Sequence, residues 1–401
     1  MRTFPYFTKT LCLLLFLVGS TCLFAQYETK LSVSLNEYTK ELDIKQEFTY
    51  YNDSRYNLGI LYFNDWANAY SKKNTGLAKR FAQEFKKSLH LAKDSERGFT
   101  SIISVVDADY NGLQWERASG KDIIQVRLNE PLAPETSTKI FITYKVKLPS
   151  DKFTTYGYDN KGNYYLKDWY LTPAVYDGKW RLYSNKDLED LYTNMTKTTI
   201  DFKYPDSLYI TSNLNKQSES KFQNGQSVLL TAEKQKSAEL IIRTTKDFTT
   251  HVTPSLTIET DITAPRYSPM EQGISINRIT NFIHENLGDF PHKKLLVSQL
   301  DYNKDPLYGL NLLPSFVRPY EQQFQFEMKF LKTTLNSMLK ETLFLDPRSE
   351  QWLNSAIANY LMIAFVDEYY PNQKLFGNLS HIWGLRNFNL ANMEFNEQYA
   401  F

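Results

Sequence analysis

The sequence predicts a multidomain α+β protein: an antiparallel β-sandwich over residues 26–250, followed by a mainly helical domain over 251–401. Three observations point there. Short runs of β-branched and aromatic residues, several alternating in polarity, recur with turn residues between them as far as about residue 250. After about residue 262 the apolar residues recur at helical spacing instead. Aromatics make up 15% of the 401 residues, with 28 Tyr and 26 Phe, a content that favours strands and large packed surfaces over disorder.

The strand-like runs lie at 31–35, 44–51, 123–128, 140–148, 198–202, 227–230 and 238–243, with turn dipeptides such as Asn111-Gly112 and Ser119-Gly120 between runs. One helical insertion is expected where Leu77, Phe81, Phe85 and Leu89 repeat every four residues. Beyond the change of period, Ile276, Ile279, Phe282, Ile283 and Leu287 fit a helix closed by Gly288, whose missing Cβ suits a left-handed cap. Val297-Ser298-Gln299-Leu300 reads as a strand. A second helix carries Met328, Leu331, Leu335, Met338 and Leu339 on one side, and a third opens with Asp346 as cap and Pro347 in its first turn, running to about Tyr370. The chain stops at Phe401 without a terminating signal, which predicts that the helical domain is incomplete.

Residues 1–25 read as a secretory signal peptide: Arg2 and Lys9 are followed by an apolar stretch over 11–24, with Ala25-Gln26 as a small-residue cleavage point. An exported protein, periplasmic or secreted, is therefore expected. No transmembrane helix should remain after cleavage, because the one later apolar stretch, 352–366, is broken by Asn354, Ser355 and Asn359. Cys12 and Cys22 are the two cysteines and both fall in the signal, so disulfides, thiolate metal sites and a cysteine nucleophile are excluded from the mature chain. Gly19-Ser20-Thr21 lacks the leucine that usually precedes a lipidated cysteine. The formal charge of +1 is spread thinly, with pairs such as Lys86-Lys87 and Lys293-Lys294 in place of basic patches, and nucleic acid is not expected as a partner.

Several stretches match one family in order. Residues 168–176, Asp-Trp-Tyr-Leu-Thr-Pro-Ala-Val-Tyr, resemble the element with which gluzincin aminopeptidases, the aminopeptidase N family, close their N-terminal sandwich. Residues 282–291 are similar to the helix, Gly and Pro that lead into their thermolysin-like catalytic domain. Trp352-Leu353-Asn354, followed by Ala358-Asn359-Tyr360, looks like their helix bearing Trp-Leu-Asn-Glu-Gly and Ala-x-Tyr. The resemblance spans most of the mature chain and implies an exported zinc metallopeptidase scaffold.

That family's chemistry uses His-Glu-x-x-His on one helix and a Glu from the next to hold zinc, with the first Glu as general base. The family's spacing, counted back from Trp352, places the two His positions at Lys332 and Asn336, the base at Thr333 and the third ligand at Ser355. None of the four can do its job. An ammonium repels a dication, Thr333 has no basic group near neutral pH, and neutral Asn336 and Ser355 are poor zinc ligands. The family's substrate-amine strand should fall at Tyr308-Gly309-Leu310-Asn311-Leu312, where Gly309 and Asn311 remain as candidate binding residues but the expected carboxylate is missing. Zinc, the cofactor the family implies, is thus expected to be absent, and the catalytic residues with it.

Other signals have plainer readings. His284-Glu285 lacks a second imidazole four residues on, where Gly288 stands, and reads as a helix end. The run from Asp107 to Gly112 imitates a calcium loop but has Ala118 at the closing position, which favours a hairpin turn. Phe324, Phe326, Phe330, Trp352, Tyr360 and Phe365 read as core. The leading functional expectation is a non-catalytic, peptidase-like protein (a pseudoenzyme) that binds a polypeptide or envelope partner through the former cleft. The alternatives are an active zinc metallopeptidase whose ligands lie elsewhere, and a structural component of an envelope assembly.

Overall fold

The computed structural model describes residues 27–118, 122–186, 190–223, 225–307 and 320–372. The chain is a mixed α+β molecule with a β-rich N-terminal region and, among the described residues, only part of a helical domain after it. In chain order the strands are β1 (Tyr27–Asn36), β2 (Glu41–Tyr51), β3 (Leu58–Asn64), β4 (Phe99–Val106), β5 (Gln114–Arg117), β6 (Ile123–Leu132), β7 (Ser137–Lys147), β8 (Gly157–Tyr158) and β9 (Tyr164–Leu166). There follow β10 (Thr172–Pro173), β11 (Thr196–Tyr204), β12 (Tyr209–Ser212), β13 (Asn215–Phe222), β14 (Gly225–Gln235), β15 (Leu240–Arg243), β16 (Thr249–Val252), β17 (Thr257–Thr260) and β18 (Lys294–Val297). The α-helices are α1 (Gly76–Gln83), α2 (Pro269–Leu287), α3 (Gln299–Lys304), α4 (Gln322–Thr342) and α5 (Gln351–Tyr369).

A seven-stranded sheet, β13-β14-β11-β1-β2-β7-β4, packs against a four-stranded sheet, β10-β3-β6-β5, around one core that includes Phe48, Ile140, Phe63 and Val126. Burial alternates along β1 and β2, as the pleat requires when one face meets a core and the other water. The sheet is not wholly antiparallel as the sequence predicts: β1 pairs with β11 in parallel, Tyr27 opposite Thr196 through Ser34 opposite Lys203. The connection between them crosses the second sheet and returns in the same direction, a long-range event that strand-sized patterns do not encode. The turn at Asp107 is local, with Asp107 Oδ1 accepting from the Asp109 and Asn111 amides at 3.0 and 2.9 Å. The chain turns back on itself as expected of a hairpin turn, with Val106 opposite Gly112 and the Leu113 amide donating to the Val105 carbonyl at 2.9 Å, before passing from β4 to β5 in the other sheet.

Two helix boundaries also differ from the expectation. Ser298 and Gln299 do not extend a strand, because the Ser298 hydroxyl accepts from the Asp301 amide at 3.0 Å and opens α3. Asp346 does not cap α5, which begins five residues later; its carboxylate instead accepts from the Tyr183 hydroxyl at 2.6 Å. In the α1 region Leu77, Phe81 and Leu89 are buried, but the helix ends before Phe85, which is 90% exposed at φ 57°. Gly288 closes α2 with φ 79°, and Pro269 and the Ser268–Glu271 capping box open it.

The β-rich core holds a buried acid pair. Asp65 is paired to Arg117 at 2.7 Å, and Asp122 accepts from the Asn185 amide at 3.2 Å. Burial and the neighbouring Asp65 carboxylate push Asp122 up to about 7. The folded state therefore holds this proton where the unfolded chain has released it, and stability contributed by Asp122 falls as pH rises from about 4 to 7. Asp122→Asn should match the native protein near pH 4 and exceed it by about 4 kcal/mol at pH 8, read from urea midpoints at both pH values.

Candidate functional site: a cleft between the sheets and the helix pair

The helical part has its own core, in which β17 and β18 run parallel through the crossover helix α2, and α4 packs on α5. Phe324, Phe326 and Phe330 fall inside it, each 1% exposed or less. Rings join the helices edge to face, Phe282 with Phe365 at 5.2 Å and Phe324 with Tyr370 at 4.9 Å. Trp352 and Tyr360 depart from their core reading, at 65% and 69% exposure, because they occupy the outward face of α5, while Phe365 on the inner face is fully buried.

Between this pair and the β-rich region lies a cleft of about 270 Å³. Thr333 and Asn336 on α4 and Ser355 on α5 all line it, so the folded chain brings three of the four family-derived positions to one cavity. Lys332, the fourth, is buried behind them at 5% exposure. Its ammonium donates to Asp305 Oδ1 at 2.9 Å, and the Asn336 side-chain amide, one helical turn on, donates to Asp305 Oδ2 at 2.9 Å. The Thr333 hydroxyl donates to the Lys329 carbonyl at 2.9 Å, a bond back into its own helix. Asp305, just past α3, is the residue that sequence reasoning missed. No local pattern distinguishes it, since it meets α4 only through the fold. Gly309 and Asn311 lie outside the described residues.

Several charged side chains line the cleft walls. Lys167 and Glu239 pair at 3.2 Å, and burial together with Glu239 pushes Asp301 up to about 6 against the opposing pull of Lys167. Lys236, in the connection between β14 and β15, donates to the Lys340 carbonyl at 2.8 Å and to the Leu343 carbonyl, finishing the C-terminus of α4. Burial pushes Lys236 down to about 8, with Glu341 opposing. Arg348, ahead of α5, donates to the Ser184 carbonyl and pairs with Asp190 at 2.5 Å. These contacts fix the two halves of the cleft to one another.

A gluzincin site would need imidazoles and carboxylates converging on one point. Among the described residues no group of three or more His, Cys, Asp or Glu is placed to hold a metal ion. At the family-derived positions stand an ammonium and an amide already donating to a carboxylate, and two hydroxyl side chains, a set that does not fit zinc. His284 sits at the exposed end of α2 beside Asp289, at 3.1 Å, away from the cleft lining.

In fold the chain resembles domains of M1 zinc metallopeptidases, which are gluzincins of the aminopeptidase N-like kind. The chain is similar to the M1 zinc metallopeptidase of Deinococcus radiodurans at a TM-score of 0.55 and 12% identity, covering 90% of this chain and 73% of that one. A mutant of the Deinococcus enzyme bound to a Tyr-Ser-Ala substrate gives a TM-score of 0.53, and a two-domain M1 zinc metallopeptidase mutant bound to L-tryptophan gives 0.55, both at 12% identity and 90% coverage of this chain, with 74% and 75% of theirs. No family model and no curated protein matches the sequence. No helix among the described residues is long and apolar enough to cross a membrane.

Proposed function

We propose that this chain is an exported, non-catalytic relative of the M1 metallopeptidases that holds a polypeptide, or a segment of an envelope partner, in the cleft between its β-rich and helical parts. One observation supports this above the others: Lys332 and Asn336, on the helix that carries zinc ligands in the family, spend their donors on Asp305. Hydrolysis in this family needs an ion to polarise the peptide carbonyl and to acidify the attacking water. Lys332, Thr333, Asn336 and Ser355 supply neither the ligands nor the base. What remains is a cavity whose lining includes Asn213, Gln235, Ser237, Gln351 and Asn354, side chains able to bond a peptide backbone without regard to sequence.

The test is metal analysis and a broad peptidase assay on the signal-free protein, with a photo-crosslinking peptide library on the same sample. Substoichiometric zinc, no turnover and crosslinks at cleft residues are the expected outcome. One zinc per chain with peptide cleavage would establish the active-enzyme alternative. Co-purification with a fixed partner, and no crosslinks at the cleft, would favour a structural assembly component.

A further inference from the structure

The bond pattern around Asp305 suggests what the cleft recognises. Each oxygen of its carboxylate takes one donor from a neighbouring turn of α4, Oδ1 from the Lys332 ammonium and Oδ2 from the Asn336 amide, both at 2.9 Å. That is two-point carboxylate recognition by a cation and an amide four residues apart on one helix face. The two sides of the contact are unequal. The Lys332 side chain is 6% exposed and Asp305 is 58% exposed, so the ammonium is held inside the fold while the carboxylate stands at the rim. A buried ammonium cannot be left without a counter-charge, whereas an exposed carboxylate returns to water at little cost. Lys332 lies behind the cleft that Asp305 and Asn336 line, so a second carboxylate reaches the same two donors by taking the place of Asp305 at the rim.

We propose that Lys332 and Asn336 form a carboxylate clamp, held by the chain's own Asp305 in this structure, that takes a carboxylate of the bound polypeptide, either an acidic side chain or a C-terminus. The proposal rests on the cleft being a polypeptide site and names the chemistry it selects. Asp305 then acts as an internal competitor, because a tethered group at high effective concentration weakens any ligand that must displace it.

Acetate is the first probe. The melting temperature of Asp305→Ala should rise with sodium acetate relative to sodium chloride at equal ionic strength. The native protein should respond at least about tenfold more weakly in concentration, and Lys332→Met/Asp305→Ala should not respond. If Asp305→Ala does not fold, Asp305→Asn, which keeps an oxygen for Lys332, is read against the same outcomes. Two peptides then separate the sources: acetyl-trialanine with a free C-terminus, and acetyl-Ala-Asp-Ala amide. An acetate response that is absent, or equal in the double variant, overturns the clamp. So does binding of both peptides no tighter than neutral acetyl-trialanine amide, and in that case the neutral peptide's own binding still reports whether the cleft takes polypeptides.

Discussion

Replacing Glu327 by alanine is expected to destabilise the protein by about 3–5 kcal/mol, the range for removing one partner of a buried charge network. Glu327 is wholly buried in α4 and its carboxylate accepts from four side chains: Arg278 at 3.0 Å, Gln323 at 3.1 Å, Tyr370 at 2.7 Å and Ser275. Those donors come from α2, from α4 itself and from the end of α5, so one side chain joins three helices. Alanine removes the acceptor that all four donors share and opens a cavity as well. Glu327→Gln keeps the shape but turns an amide donor toward some of these donors, and should fall between native and alanine. Urea unfolding with an unchanged slope is the measurement; a midpoint within error of native would show that the helices are held by their rings alone.

The second large effect is expected at Gly157. Its φ is +116°, and a Cβ built there would stand 1.9 Å from the carbonyl oxygen of Pro149. Both the backbone conformation and the space exclude a side chain, and the obstacle is main chain, which cannot swing aside. Gly157→Ala should therefore cost about 3 kcal/mol or more, seen as a lowered melting temperature of the purified protein. Gly112, where an added Cβ would meet nothing within 4 Å and φ is not positive, serves as the control, and alanine there should be nearly neutral.

Much of this architecture was legible in the residues. The runs at 44–51 and 140–148 were readable as strands, and Phe324, Phe326 and Phe330 as core, and all are found so. The family-like order of Trp352-Leu353-Asn354 pointed to Thr333, Asn336 and Ser355, and these three line one cavity. What escaped was non-local. The parallel pairing of β1 with β11 depends on a crossover of about 160 residues, and Asp305 reaches Lys332 only after α3 has folded against α4. Trp352 and Tyr360 misled because size and apolarity predict burial on average, while the face a helix presents is decided by its neighbours. Asp346 misled for a related reason: Asp before Pro is a strong helix opener, yet here its carboxylate accepts from the hydroxyl of Tyr183, a residue 163 positions earlier.

The amine of Lys236 on the last carbonyls of α4 has a consequence for how the molecule could be divided. A helix whose final turn is completed by a residue from another region is not a self-sufficient part. Expressed alone, the segment from α2 to α5 would present those carbonyls to water along with the hydrophobic ring of Phe344, which otherwise lies against Tyr192. Any evolutionary shuffling of this helical unit onto a different partner would have to bring a replacement cation along with it.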